Sequence, residues 1–158
     1  MQQYLTVLEK SWFELHRHYH FSEPQKIFNK LIAAYSEKQR AYHTLQHLYE
    51  CLVLLESIRP DLKDAYSVEL ALWFHDAIYD PQAKDNELKS AELFEQYLAQ
   101  DLSADDVQKI IRWILATQRH EATDELDLQF LLDIDLAILA ASPERFAEYE
   151  QQIQQEYA

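Results

Sequence analysis

The stretch Leu70-Ala-Leu-Trp-Phe-His-Asp-Ala-Ile-Tyr-Asp80 decides the fold, because eight of its eleven residues are apolar or aromatic. Read as a helix, it is apolar nearly all round, which predicts a helix buried inside a domain. His75 and Asp76 lie side by side within it, and Asp80 follows. Burying an ionised carboxylate without a partner is very costly. We therefore expect a compensating cation, either a neighbouring arginine or a metal ion.

The composition favours helices around this stretch. The chain has 158 residues, of which 48% are hydrophobic, and it contains no glycine. Glycine serves tight hairpins and phosphate-binding loops, so its absence argues against a Rossmann fold, a P-loop and a hairpin-rich β protein. Apolar residues instead recur every three to four positions, which predicts about seven or eight helices. We expect an all-α helical bundle forming a single domain over residues 1–158.

Charge and cysteine content limit the partners and the compartment. The formal net charge is −14, from 14 basic and 28 acidic residues. So acidic a chain is not expected to bind a nucleic acid polymer, because phosphate-backbone binding needs a basic surface. A single cysteine, Cys51, excludes an internal disulfide and fits a reducing compartment. No apolar run reaches the ~18 residues typical of a membrane span, so we predict a cytoplasmic protein without a membrane partner.

Capping residues suggest where several helices begin and end. Ser67 is the predicted N-cap of the fourth helix, which Pro81 should stop or bend at its exit. Ser103 and Ser142 are typical starts for the sixth and eighth helices. Thr44 is an alternative N-cap for the third helix.

Three places along the chain carry candidate ligands for a metal ion. His43 and His47 share a face if both are helical, whereas His43 precedes the helix if Thr44 caps it. His75 and Asp76 lie about 100° apart around a helix, and an ion between their directions could bind both. Asp135 follows an apolar face of the seventh helix, and its inward carboxylate needs a cation. We prefer it to Asp133, which points elsewhere. The apolar residues of that face are Leu128, Leu131, Leu132, Ile138 and Leu139.

Two histidines and two aspartates form a mixed nitrogen and oxygen ligand set. Such a set suits one divalent ion such as Mn, Zn, Fe, Ni, Co or Mg. Four protein ligands on an octahedral ion leave two positions, one for an activated water and one for a substrate oxygen. That arrangement is typical of a hydrolase.

An early histidine, an adjacent His-Asp pair and a late aspartate resemble the HD-domain superfamily of metal-dependent phosphohydrolases, over about residues 40–139. Five motifs in order are similar to a bacterial group of predicted HD phosphohydrolases. They are Arg40-Ala-Tyr-His-Thr-Leu-Gln-His47, Trp73-Phe-His-Asp-Ala-Ile-Tyr-Asp80, Asp85-Asn-Glu-Leu-Lys-Ser-Ala91, Thr117-Gln-Arg-His120 and Asp133-Ile-Asp-Leu-Ala-Ile-Leu139. The resemblance implies an HD-type helical bundle and a hydrolase of phosphate esters.

The resemblance also implies roles for individual residues. His47, His75, Asp76 and Asp135 match the four metal ligands. His43 matches the histidine that protonates the leaving group in cyclic-nucleotide phosphodiesterases, although Thr44 replaces the asparagine that follows it there.

Further residues have predicted roles beside the ligands. Asp80 or Asp135 would orient the attacking hydroxide, and His120 could donate a proton, orient a phosphate or hold a second metal. Arg40 and Arg119 are candidate phosphate clamps, since guanidinium suits bidentate phosphate contacts, or else they form ion pairs. Glu87 is either a helper near the site or a charge favoured at a helix N-terminus.

The leading hypothesis is a metal-dependent phosphohydrolase, either a phosphomonoesterase or a phosphodiesterase, acting on a small phosphorylated substrate, with a nucleotide as one option. Two alternatives stay open. One is a di-iron oxygenase of HD type, for which the chain offers only His120 as an extra histidine between the His-Asp pair and the late aspartate. The other is a non-catalytic regulatory or ligand-binding module that keeps a structural metal.

Overall fold

The computed structural model describes residues 2–158 and contains eight α-helices and no strand within that range. The predicted all-helical class and helix number are confirmed. The helices are α1 (Gln2–Tyr19), α2 (Pro24–Tyr35), α3 (Leu45–Ile58), α4 (Ala65–His75), α5 (Asn86–Leu98), α6 (Ala104–Ala116), α7 (Leu126–Asp135) and α8 (Pro143–Glu156). Short 3-10 turns follow α3 at Arg59–Asp61 and α7 at Ala137–Ala140.

Helix α4 is the central element, as its apolar sequence predicts. Every residue from Ser67 to His75 is buried. Helices α1, α3, α5, α6 and α7 all contact it. Leu70, Leu72, Trp73 and Phe74 have no exposed surface. Burial of each such side chain stabilises the fold by about 1.5–3 kcal/mol, so the helix that carries His75 is held firmly from all sides.

The start of α4 differs from the prediction. Asp64, not Ser67, is the N-cap, and its carboxylate accepts the backbone N–H of Ser67 at 3.1 Å and the Ser67 hydroxyl at 2.7 Å. Ser67 has no exposed surface, so its hydroxyl serves this buried contact. Two further N–H groups, those of Lys63 and Asp64, donate to the carboxylate of Asp127 on α7. The predicted caps Ser103 and Ser142 do accept N–H groups at the starts of α6 and α8.

The end of α4 also differs, because the helix stops at His75 and not at Pro81. Side chains from elsewhere take over the backbone groups that a longer helix would use. The Arg40 guanidinium donates to the carbonyls of Asp76 and Ala77 at 2.6 and 2.8 Å. The Ser90 hydroxyl pairs with both the N–H and the carbonyl of Ile78. The chain therefore turns directly after His75, and Asp76 lies at the helix end.

Helix α7 is shorter than its apolar pattern predicts. It ends at Asp135, and the predicted inward residue Leu139 lies in the following 3-10 turn with 58% of its surface exposed. Asp133, the less favoured candidate for a metal ligand on this helix, is exposed, whereas Asp135 is largely enclosed. Both candidate carboxylates Asp76 and Asp135 thus lie where a helix ends.

Two histidines occupy a backbone conformation that usually favours glycine. His20 and His120 have φ angles of +60° and +52°, in a chain that contains no glycine. Each follows the end of a helix and donates its N–H to a carbonyl four residues earlier. A left-handed conformation outside glycine carries a cost of about 1–3 kcal/mol and persists where the surroundings impose it.

No helix among residues 2–158 combines the length and the apolar character that crossing a bilayer would require.

Candidate metal centre

Three helices bring four side chains together at one end of the buried helix α4. His75 and Asp76 stand at its C-terminal end, His47 comes from the first turn of α3, and Asp135 is the last residue of α7. His75 Nε2 lies 2.9 Å from Asp76 Oδ2 and 3.2 Å from Asp135 Oδ1. His47 Nε2 lies 3.3 Å from each of the same two oxygens. The structure thus brings the four predicted ligands into a closed ring of alternating nitrogen and oxygen atoms.

The spacing within this ring fits a shared cation. Ligands at about 2.1 Å from an octahedral ion lie about 3.0 Å apart when they are neighbours, close to the separations observed. Asp76 Oδ2 is buried, and among residues 2–158 its contacts with the two histidine nitrogens, at 2.9 and 3.3 Å, lack hydrogen-bond geometry. A buried carboxylate oxygen without a partner is costly unless a cation meets it. Both observations fit a divalent ion bound between the four side chains.

The His75 ring is oriented for this task. The carbonyl of Leu72 lies 2.6 Å from His75 Nδ1, so Nδ1 donates the proton and Nε2 presents its lone pair to the ring of donors. Protein histidines that bind metals usually hold their other nitrogen in this way. The ring of Tyr42 lies 4.7 Å from that of His47.

Cys51 is a candidate ligand that the sequence interpretation missed. Ligand atoms of His47, Cys51, His75 and Asp135 all lie within 4.8 Å of one another, a grouping that could hold a metal ion. Its sulfur lies 3.9 and 3.8 Å from the two ring nitrogens of His47. These nearly equal distances place the sulfur beside the ring and not in line with the Nε2 lone pair. We therefore favour Asp76 as the fourth ligand. The sequence did contain a sign of this contact, because side chains four residues apart on a helix, such as His47 and Cys51, lie on the same face.

Without an ion, protons replace the metal's charge. Burial lowers the pKa of His75, but the charges of Asp76 and Asp135 outweigh it and leave that pKa well above the usual value. Burial raises the pKa of Asp135, but His75, His120 and His47 outweigh it and leave that pKa well below its usual value. Two protonated histidines and two carboxylates are neutral together, and so are two neutral histidines, two carboxylates and a divalent cation.

This exchange predicts a pH dependence of stability for the metal-free protein. The pKa values of His47 and His75 are raised by folding, so their contribution is complete below the unfolded value of 6.5 and is lost as the pH rises through the folded value. The pKa values of Asp76 and Asp135 are lowered, so their contribution is present above 3.8 and is lost as the pH falls through the folded values. Urea unfolding of chelator-treated protein should therefore show a falling free energy of unfolding from pH 6.5 to 9.

Added metal should reverse the trend. Ligands must be deprotonated to bind, so the stabilisation by Zn²⁺ or Mn²⁺ should grow over the same interval. A metal-free protein whose free energy of unfolding is constant from pH 6.5 to 9 would contradict the proton exchange.

His120 joins the cluster through the second oxygen of Asp135. Its Nε2 lies 2.6 Å from Asp135 Oδ2, on the oxygen that does not face His47 and His75. The left-handed backbone of His120 supports this placement, because strained residues persist where the surroundings impose them. His120 can thus fix the orientation of the Asp135 carboxylate, and one fifth of its side chain remains exposed for contact with a ligand.

His43 lies beside the cluster and outside the ring of donors. Its imidazole is 6.0 Å from that of His47, centroid to centroid, and 3.9 Å from the ring of Tyr79. Its Nδ1 lies 2.8 Å from Oε1 of Glu156, the last residue of α8. Glu156 had no signal in the sequence, because neither its spacing nor its neighbours link it to His43.

The two arginines predicted to clamp phosphate lie in different surroundings. Arg40 is buried, and its guanidinium contacts Glu37 and the carbonyls of His43, Asp76 and Ala77. Those contacts use its donors to fix the two loops that carry His43 and Asp76. The Arg119 side chain is 77% exposed and lies 3.9 Å from Glu121. Neither arginine has the placement of a phosphate clamp preformed at the ring of donors.

The two predicted acidic helpers also differ in placement. Asp80 is exposed, and its carboxylate accepts the N–H of Gln82 at 2.9 Å, so its contacts stay within its own loop. Glu87 at the start of α5 is partly buried, and the charges of the cluster act on it. Burial raises the pKa of Glu87, and the negative charges of Asp76 and Asp135 raise it as well. Glu87 is therefore a second candidate, beside Asp80, for a carboxylate that serves the site.

A comparison with known proteins found no matching family model, no matching curated protein and no matching solved structure.

Proposed function

We propose that the protein is a metal-dependent phosphohydrolase that acts on a small phosphate ester. The observation that carries the proposal is the ring of four donors, two imidazole nitrogens and two carboxylate oxygens, buried at the end of α4. A divalent ion held there supplies a Lewis acid for a phosphoryl oxygen and lowers the pKa of a water. The five sequence motifs that resemble HD phosphohydrolases support the same proposal.

The surrounding residues match the remaining needs of this reaction. Hydrolysis requires a proton for the leaving oxygen and a group that orients the attacking water. His43 and His120 both keep about 20% of their side chains exposed beside the donors, so either ring can meet a ligand. Glu87 is half-buried near Asp76, which suits a carboxylate that accepts a hydrogen bond from the water.

A cavity beside the cluster supports a small substrate. Its volume is about 510 Å³, and His47, Cys51 and Asp135 form part of its wall. Cavities of this size suit small organic molecules. The charge of Arg145 in the wall is neutralised by a two-bond contact with Glu50, at 2.8 Å for each bond. The rest of the lining is mainly aliphatic and aromatic, and neither His43 nor His120 belongs to it, so the cavity offers an apolar surface on one side of the cluster only.

A panel of phosphate esters tests the proposal. Purified protein would be loaded in turn with Mn²⁺, Zn²⁺, Ni²⁺, Co²⁺, Fe²⁺ or Mg²⁺ and offered p-nitrophenyl phosphate, bis-p-nitrophenyl phosphate, alkyl phosphates and nucleotides. We expect release of phosphate or alcohol that depends on the ion and disappears with chelator. His75→Ala should abolish the release in folded protein.

His18→Ala is the matched control, because His18 is exposed on α1 and stacks on Tyr66 away from the donors. It should retain the wild-type rate. Metal-loaded protein that releases nothing from any ester would overturn the proposed function.

A further inference from the structure

The carboxylate of Glu156 occupies a buried position at the loop that precedes α3. Its side chain has no exposed surface. Oε2 accepts three consecutive backbone N–H groups, those of Ala41 at 2.9 Å and of Tyr42 and His43 at 2.8 Å each. Consecutive N–H groups that converge on one oxygen form an anion-binding nest. The last helix thus supplies the anion that holds this loop.

The same carboxylate also determines the state of the His43 ring. Its Oε1 lies 2.8 Å from His43 Nδ1. An ionised carboxylate can only accept hydrogen bonds, so Nδ1 carries the proton and donates it. Burial raises the pKa of Glu156, but the contacts with His43 and the backbone N–H groups outweigh burial. The pKa therefore lies below its usual value, and the group stays ionised.

The second ring nitrogen of His43 is thereby directed away from Glu156. Within residues 2–158 no hydrogen bond is made by Nε2, and the side chain is 20% exposed. The ring of Tyr79 lies against His43, and the Tyr79 hydroxyl is 2.7 Å from that of Tyr157, directly after Glu156. Two neighbouring residues at the end of the chain therefore fix one imidazole and leave its Nε2 free.

We propose that Glu156 is a positioning residue that holds His43 with Nε2 directed at the leaving oxygen of the substrate. This inference rests on the proposed function. As hydroxide forms its bond to phosphorus, the bond between phosphorus and the leaving oxygen breaks and its electron pair stays on that oxygen. The oxygen takes the Nε2 proton of the His43 imidazolium, which leaves neutral His43, the free alcohol and hydrogen phosphate.

The His43 tautomer tests the positioning role without any turnover. In zinc-loaded protein, long-range ¹H–¹⁵N spectra should show His43 Nδ1 as protonated, with the signal assigned by its loss in His43→Gln. In Glu156→Gln, the amide oxygen can accept the three backbone N–H groups, so the amide NH₂ faces Nδ1. Nδ1 must then accept, so it is unprotonated and the only ring proton lies on Nε2. An unchanged tautomer in this variant would overturn the positioning role.

Leaving-group dependence separates positioning from a merely structural role. Glu156→Gln should lower kcat/KM for an alkyl phosphate by about 100-fold or more, the usual contribution of a general acid. It should affect p-nitrophenyl phosphate far less, because p-nitrophenolate leaves without a proton. Zinc affinity should not change. Glu150→Gln, an exposed glutamate on the same helix, is the matched control and should leave both rates unchanged.

The two proposals fail in different ways. Equal losses for both esters, or none, would overturn the positioning role. Wild-type protein that hydrolyses no ester of the panel would overturn the proposed function, while the tautomer of His43 still decides the positioning role. If Glu156→Gln does not fold, the wild-type spectrum alone decides, since an unprotonated Nδ1 would contradict the observed contact.

Discussion

Replacing Asp135 with asparagine is expected to lower divalent-metal affinity by more than about 100-fold and to abolish the proposed phosphoester hydrolysis. Oδ1 of Asp135 lies near both His47 and His75, and Oδ2 contacts His120, so this carboxylate touches three of the histidines. Residues that merely support a ligand typically contribute 10- to 100-fold to affinity, and loss of a ligand should exceed that range. Titration calorimetry with Zn²⁺ on chelator-treated protein measures the effect.

Asp133→Asn provides the matched control for this prediction. Asp133 lies two residues earlier on α7 and is exposed, so the change removes the same charge from the same helix. We expect wild-type zinc affinity and activity. Equal losses in the two variants would show that overall charge, not the ring of donors, governs binding.

Replacing Arg40 with methionine is expected to lower the free energy of unfolding by about 3–5 kcal/mol. Its side chain is 1% exposed, and it donates to three backbone carbonyls, those of His43, Asp76 and Ala77. The contact with Ala77 is buried and the other two are partly buried, and each buried acceptor left without a partner costs about 1–3 kcal/mol. Glu37, the remaining partner, is 44% exposed, so solvent screens that ion pair and the carbonyls dominate the effect. Urea unfolding measures the loss.

Arg119→Met is the control for the arginine variant, because its guanidinium is largely exposed. Surface changes of this kind usually stay within about 0.5 kcal/mol. A loss below about 1 kcal/mol for Arg40→Met would contradict the structural role and favour the phosphate clamp predicted from sequence.

The centre of the fold was predictable because its signal is local. The apolar run Leu70–Asp80 predicted a buried helix, and α4 is buried from Ser67 to His75. The helix end was not predictable, since the groups that terminate it, Arg40 and Ser90, come from distant parts of the chain. A prediction based only on helix propensity and the position of Pro81 therefore makes the helix five residues too long.

The candidate site also contains residues that were predictable from the sequence and residues that were not. The residue types and order of His47, His75, Asp76 and Asp135 pointed to a metal site, and the structure brings their donor atoms to 2.9–3.3 Å across neighbouring members. Glu156 was missed because its role depends on where the end of α8 lies. Asp80 was favoured by its place in a motif, yet its carboxylate bonds within its own loop. Tertiary placement, not residue type, separates these cases.

The most direct measurement is anomalous scattering from crystals grown with Mn²⁺. We expect one strong peak per chain, about 2.0–2.3 Å from four atoms, the distances usual for such ligands. These atoms are His47 Nε2, His75 Nε2, Asp76 Oδ2 and Asp135 Oδ1. A peak bound elsewhere, or no peak at saturating Mn²⁺ in crystals of folded protein, would contradict a metal centre at the end of α4.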